Sequence, residues 1–240
     1  MRRVQILQDA ASLAAAAAEE FARAAAASSG PFRVALSGGS TPKALNRFLA
    51  DPAASYRARV PWDRVHFFWS DERCVPPDDP DSNYRMARET LLSRVPVPAA
   101  HIHRIPAEMP NPDESADIYE ETIVGEFDGL PHFDWIFLGM GADGHAASLF
   151  PGNLAVAEQK KLVTAVWLPQ MRTHRVSFTL PTLNAARKIV FLVSGPEKAE
   201  TARLVLEEAP SAALPSSLVQ PMRGELLWLL DKPAAQRLKT

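Results

Sequence analysis

The sequence predicts an α/β protein: a mostly parallel, doubly wound (Rossmann-like) sheet with helices on both faces, in one domain spanning residues 1–240. Two observations carry that prediction. Short apolar runs alternate with segments of helical spacing along most of the chain, as expected of strands joined by crossover helices. Four of the runs lead at once into turns rich in glycine, serine or charge, at 37–42, 70–73, 139–145 and 194–198. In a parallel sheet such turns share the edge formed by the carboxyl ends of the strands, where ligands bind.

Residues 9–27 read as a helix from their alanine content and the spacing of Leu13 and Phe21, and Gly30-Pro31 closes the segment. Phe32 to Leu36 is a short apolar strand. The turn Ser37-Gly38-Gly39-Ser40-Thr41-Pro42 follows, then a helix from Lys43 to Ala50, with Thr41 as N-cap and Pro42 at the first helical position. Val65 to Trp69 is the next strand. Ser70, Asp71, Glu72 and Arg73 come directly after it, where the loop leaves the sheet, a poor place for a merely solvated face. Asp78, Asp79 and Asp81 do not follow the calcium-loop template and read as solvated loop. A helix over Tyr84–Leu92 precedes a long proline-marked connection. His101 and His103 lie in it without a metal-spaced partner and read as surface residues. Residues 113–127 look helical, capped by Asp113. Beyond the central stretch described below, 162–167 and 175–179 read as strands and 181–187 as a short helix. Ile189 to Val193 is a buried strand, followed by a helix to about Glu208, a turn at 214–218 and a last strand at 226–230. No internal repeat or low-complexity linker divides the chain.

Hydrophobic residues make up 47% and charged residues 22% of the 240, and the formal net charge is -2. That balance lacks the overall basic signal of a nucleic-acid or anionic-membrane partner. The single cysteine, Cys74, excludes an intrachain disulfide and fits a reducing compartment. Arg2 and Arg3 precede an alanine-rich tract, but Asp9, Glu19 and Glu20 interrupt it. The tract therefore reads as an amphipathic surface helix and not a signal peptide. No apolar run approaches a membrane span. The expected location is the cytoplasm.

The chain is organised around Phe133–Gly152. Trp135 to Leu138 is a buried strand, and a turn with Gly139, Gly141 and Gly144 then presents Asp143 and His145. Pro151 and Gly152 keep any following helix short. The 37–42 turn aims backbone N–H groups and a helix dipole at one spot, which favours a phosphate. A tight βα turn that binds nothing remains the alternative, and no GxxxxGK[ST] is present. Without HExxH, CxxC or paired-His spacing, no metal mechanism is expected, and without GxSxG no serine hydrolase. Gly139, Gly141 and Gly144 do match a dinucleotide fingerprint, but Pro151 cuts the helix it needs and no ribose-binding acid is evident. What remains is a lone histidine beside an anion site. A neutral imidazole can take a proton from water and return it to a leaving oxygen, worth ~10²–10⁴ in rate, enough for an activated ester. The alternative for His145 is an ordinary turn histidine.

At these residues the chain resembles the 6-phosphogluconolactonase family. The likeness rests on residues 36–42, on 70–73 with 81–83, on 139–145 continuing to 148–152, and on 195–198. It implies the fold of the glucosamine-6-phosphate deaminases and, more distantly, of ribose-5-phosphate isomerase. It also implies hydrolysis of 6-phospho-D-glucono-1,5-lactone to 6-phospho-D-gluconate in the pentose phosphate pathway, without metal or cofactor. Ala142 departs from the Glu of many members, at a turn position where little consequence is expected. Phe150 stands where the deaminases carry a Glu used in ring opening, and Arg73 replaces their usual Tyr. Both differences favour the lactonase over the deaminase. The roles the resemblance implies are a 6-phosphate held by Gly38, Gly39, Ser40 and Thr41 with Arg175 and Lys198, the latter two matching deaminase phosphate positions. His145 would activate water, Arg73 would steady the oxyanion or orient the ring, and Asp71 and Asp143 would orient side chains or cap turns. The expected partner is a small phosphorylated sugar lactone, bound by a monomer or weak homo-oligomer. A sugar-phosphate-binding regulator is the other class to consider, but the N-terminal helix is too short for a helix-turn-helix segment.

Overall fold

Strands that are apolar on both faces need cover on both sides, and the arrangement of this chain supplies it. The computed structural model describes residues 2–127 and 129–239. In chain order the elements are β1 (Arg2–Leu7), α1 (Ala10–Ala27), β2 (Phe32–Leu36), α2 (Ser40–Ala50), β3 (Val65–Trp69), β4 (Asp71–Arg73), α3 (Asn83–Thr90) and α4 (Pro112–Glu126). They continue with β5 (Trp135–Gly139), β6 (Val163–Leu168), β7 (Thr173–Phe178), α5 (Leu180–Asn184), β8 (Lys188–Val193), α6 (Ala199–Glu207), β9 (Glu225–Asp231) and α7 (Lys232–Ala235).

Six strands form one sheet in the order β1-β9-β8-β5-β2-β3, with every neighbouring pair parallel. The chain runs from β2 outward to β3, returns to β5 beside β2, and then builds in the other direction through β8 and β9. The connections leaving β2 and β5 therefore diverge, and this reversal of strand order opens a crevice at their carboxyl ends. On one face, Phe21 of α1 meets Phe32, Trp135 and Phe137 with ring centroids 5.6, 6.0 and 5.8 Å apart.

The sequence reading needs five corrections. β1 was not foreseen: five of its six residues are exposed, so this edge strand lacks the apolar run that marks the others. Residues 70–73 are not loop, since Asp71–Arg73 form β4, which joins β7 and β6 in a separate antiparallel sheet of three strands. Ser70 is the crossing point: its N–H donates to Leu36 O of the large sheet (2.8 Å), and its carbonyl accepts from Phe178 N of the small one (2.7 Å). Thr41 is not the N-cap of α2. Gly39 holds that position at φ 107°, which places Ser40 and Thr41 inside the first turn. Asp113 likewise lies within α4, whose cap is Asn111, accepting from Asp113 N (3.1 Å) ahead of Pro112.

Finally, His101 and His103 are not solvated. Their segment runs along the outer edge of β3, where Ile102 bridges Phe67 and His103 N donates to Phe67 O (2.8 Å). His103 stacks on Phe68 and His101 on His66. Burial first, then the neighbouring His101, pushes His66 down to about 4.

Phe21 is fully buried among three aromatic rings. Phe21→Ala is expected to cost about 3–5 kcal/mol of unfolding free energy in denaturant titration, with activity per folded molecule retained.

Candidate active site

The turns at the carboxyl ends of β2, β5 and β8, with β4, surround a cavity of about 270 Å³. Gly38 and Gly39 make the first wall possible. A Cβ at residue 38 would lie 1.9 Å from Asn83 Oδ1, so only glycine lets the turn close against that side chain. Gly39 takes the left-handed φ of 107° that starts α2. The N–H groups of the first helical turn, at Ser40 and Thr41, then face the cavity end of the helix, where the positive end of its dipole lies.

β4 alternates as a strand must. Asp71 and Arg73 line the cavity, while Glu72 points behind it. Glu72 accepts from Ser82 Oγ (3.0 Å), Asn83 N and Tyr84 N (both 2.7 Å), and so holds the start of α3 against the site. Burial raises its carboxyl above the ordinary value, and these bonds oppose the rise. Asn83, fixed at its N–H by Glu72 and at Nδ2 by Asp71 O (2.9 Å), joins the lining. Asp71 is buried and accepts from Ser70 Oγ (3.2 Å) and Ser148 Oγ (2.8 Å). Arg73 donates to Asp81 O.

The third wall carries the imidazole. Gly141 N donates to His145 O (2.9 Å), folding 141–145 into a tight loop, with Gly144 at φ 83°. His145 lies over Gly141 so closely that a Cβ there would sit 2.1 Å from Nδ1. Nδ1 is 2.6 Å from Asp143 Oδ1. An ionised carboxylate has no hydrogen to give, so the proton of this bond belongs to Nδ1, which leaves the lone pair of Nε2 free. The ring packs on Phe150 at 4.2 Å between centroids, and the side chain is 31% exposed, open enough for a water to reach it.

The fourth wall is the β8 turn. Asp231 accepts from Ser194 Oγ (2.5 Å) and Gly195 N (3.1 Å), and Lys198 and Glu197 line the cavity from this turn.

The structure thus gathers Gly38, Gly39, Ser40, Thr41, Asp71, Arg73, His145 and Lys198 around one cavity. Two predicted residues are not part of its lining. Asp143 stands behind the imidazole. Arg175 lies on β7 directly across from Arg73, with its guanidinium donating to His174 O (3.0 Å) and Thr173 Oγ1 (3.3 Å). Burial, then the like charge of Arg73, pushes it below its ordinary value. Cys74 takes no part: burial pushes its thiol up to about 11, far from a nucleophile's range. Asn83, Glu197 and Ser37 line the cavity without having been singled out. All three lie inside the segments that carry the family resemblance, at 36–42, 81–83 and 195–198, and that was their signal.

A parallel α/β sheet with a helix N-terminus, cations and a carboxylate-backed imidazole at its switch point belongs to the class of small-molecule proteins suited to an anionic ligand and proton transfer. The comparisons agree with that class and narrow it. A family model described as "Glucosamine-6-phosphate isomerases/6-phosphogluconolactonase" matches residues 8–228, and the chain belongs to this family. It is 42% identical over 214 residues to a 6-phosphogluconolactonase of Nostoc sp., covering 87% of this chain and 85% of the relative. A 6-phosphogluconolactonase of Synechocystis sp. is 41% identical over 220 residues, covering 90% and 88%. Among solved structures, a 6-phosphogluconolactonase from Trypanosoma cruzi superposes with TM-score 0.86 at 30% identity, over 100% of this chain and 98% of that one. A monomeric glucosamine-6-phosphate deaminase, 20% identical with TM-score 0.84 over 98% and 99%, shows the shared fold.

Because the imidazole rests on residue 141, Gly141→Ala is expected to push the ring off Asp143 and lower turnover about 100-fold, the scale of a 1 Å misplacement at a reacting group. Steady-state kinetics alongside a melting curve checks it: a well-folded variant of full activity would contradict the contact.

Proposed function

We propose that this chain is a 6-phosphogluconolactonase, hydrolysing 6-phospho-D-glucono-1,5-lactone to 6-phospho-D-gluconate. The carrying observation is a single imidazole, backed by Asp143 at 2.6 Å and lining the same cavity as the N-terminus of α2. The backbone N–H groups of Gly38, Gly39, Ser40 and Thr41, with Lys198, hold the 6-phosphate. Arg175 adds to the field. It stands opposite Arg73 in the ladder, and two like charges so placed repel each other unless an anion lies between them.

His145 Nε2 takes a proton from water as the water oxygen bonds to C1 of the lactone. Arg73 steadies the oxyanion of the tetrahedral intermediate. The bond from C1 to the ring oxygen then breaks, and the imidazolium returns the proton to that oxygen, leaving a carboxylic acid and a free hydroxyl. Asp143 stabilises the imidazolium and fixes its tautomer, and Asp71 holds the Ser70 and Ser148 turns in place. A lactone is already an activated ester, so one base suffices and the scheme calls for no metal or cofactor. Phe150 favours this reaction over deamination, since an apolar ring packs where the deaminases are expected to carry a proton-transferring Glu.

Both sheets contribute walls to one cavity, which supports a single domain over residues 1–240 acting as a monomer or weak homo-oligomer. No described helix is long and apolar enough to cross a membrane. Neither nucleic acid nor a membrane enters the proposed reaction, and its location is taken as the cytoplasm, although a relative from Arabidopsis thaliana is named chloroplastic.

His145→Ala should lower turnover by ~10²–10⁴ with KM little changed. The check is a coupled assay on freshly made lactone, corrected for spontaneous opening. Wild-type turnover in that variant would end the base assignment, and turnover of glucosamine 6-phosphate by the wild type would favour the deaminase. Lys198→Ala, by contrast, should act mainly on KM, raising it about 10-fold or more, as expected for loss of a charge-assisted phosphate contact.

A further inference from the structure

A second group of chemistry-bearing side chains lies outside the catalytic cavity. His66 is near the amino end of β3, His103 is in the segment that covers that edge strand, and Glu126 is the last residue of α4. None of the three lines the catalytic cavity. His66 Nδ1 is 3.2 Å from His103 Nε2 and 3.5 Å from Glu126 Oε2, and the other carboxylate oxygen is 3.8 Å from His103 Nδ1. Taken one ligand atom per residue, the set lies within 4.8 Å.

Two of those separations, from His66 Nδ1 to His103 Nε2 and to Glu126 Oε2, are close to the edges of a coordination tetrahedron, and with one ligand atom per residue the remaining one stays within 4.8 Å. Bonds of about 2.0–2.2 Å to zinc put neighbouring ligand atoms roughly 3.3–3.5 Å apart. The two imidazoles are nearly parallel, at 8°, with centroids 5.4 Å apart, and two rings sharing one tetrahedral ion would sit roughly 5 Å apart. The ligands are also held in place. His103 is pinned by its own N–H to Phe67 O (2.8 Å) and stacks on Phe68 at 4.5 Å, and His66 is fixed by its strand and stacks on His101 at 3.9 Å. His101 adds a buried Nδ1 that has no hydrogen-bond partner, so the cluster carries polar demand its protein neighbours do not meet. The side chains of His66 and His103 are 14% and 10% exposed, whereas that of Glu126 is 31% exposed, which leaves an approach for an ion from the helix end. Arg33, whose guanidinium lies over the Phe127 ring at 4.8 Å, is the nearby charge that opposes a cation, and the Glu126 carboxylate offsets it.

We infer that His66, His103 and Glu126 form a divalent-metal site of the zinc type, with water completing the shell. Two nitrogens and one carboxylate suit zinc, cobalt or nickel and do not suit calcium or magnesium, which take oxygen ligands. The ion would clip the 99–103 segment and the end of α4 to the edge of the large sheet. Its role is structural and separate from hydrolysis.

The test uses the full chain, freed of metal by a chelator. Calorimetric titration with Zn²⁺ is expected to show one tight site, Co²⁺ to give the visible d–d bands of a tetrahedral complex, and Zn²⁺ at 100 times Kd to raise Tm by about 5–10 °C. His103→Ala and, at the part-exposed helix end, Glu126→Ala should lose all three signals while keeping lactone turnover. His145→Ala should keep the metal signals. Absence of binding would overturn the site, as would binding that survives both His103→Ala and Glu126→Ala, or binding that disappears with His145→Ala.

Discussion

A run of buried hydroxyls and one carboxylate fixes where the walls of the catalytic cavity stand relative to one another. Ser37 Oγ donates to Phe137 O (2.7 Å), joining β2 to β5 at the place where their outgoing connections diverge, and it lies 2.7 Å from Ser70 Oγ. Ser70 Oγ reaches Asp71 Oδ1, Asp71 Oδ2 accepts from Ser148 Oγ, and Ser148 N donates to Ser177 Oγ on β7. Every member is buried. In a low-dielectric interior, removal of one partner leaves the next unpaired at full desolvation cost, so such a network has one arrangement or none. It ties the anion-facing turn, β4 and the loop beyond His145 into one body. The distance between the N-terminus of α2 and the imidazole of His145 is therefore set by the core.

Against that rigid frame the cations stand out. Arg73 and Arg175 occupy facing positions of a short antiparallel ladder. Glu72 is turned away and spent on the backbone of α3, and the Arg73 guanidinium donates to a carbonyl, that of Asp81. Facing guanidinium groups on one side of a ladder oppose folding, and an anionic substrate reverses the sign of that interaction. The small sheet is thus organised for a ligand more than for its own stability.

The parts of the fold legible in the sequence were those buried on both faces. β2, β3, β5 and β8 read as continuous apolar runs because helices cover both sides of them. β1, exposed at the sheet edge, has no such run, and β4 is three charged residues whose partner strand lies about a hundred positions later. The pairing of Asp143 with His145 was legible because it is local: the two are two residues apart in a glycine turn, and backbone geometry alone brings them together. His101 and His103 were misread for the opposite reason, because the groups they meet come from elsewhere in the chain. His66 and His103 are 37 positions apart, and Glu126 arrives from a helix end. Arg175 came from resemblance alone, and the structure sets it beside the cavity lining instead of within it. The helix caps slipped by two residues, where Gly39 and Asn111 took positions assigned to Thr41 and Asp113.

The surroundings of His145 also limit which reaction this frame can run. One ring nitrogen is committed to Asp143, one ring face is covered by Phe150 at 4.2 Å, and Gly141 lies against the ring near Nδ1. Only Nε2 is left to move a proton, and no carboxylate stands where the resemblance places the deaminases' second proton carrier. A reaction that moves protons at two separate centres, as ring opening with amine loss must, finds no carboxylate at position 150 to serve the second. Ester hydrolysis needs one acceptor that later becomes the donor, and a single imidazole with a fixed tautomer is enough for that. Under the proposed function, the side chain at position 150 separates two chemistries hosted by one fold, and an apolar ring there favours hydrolysis.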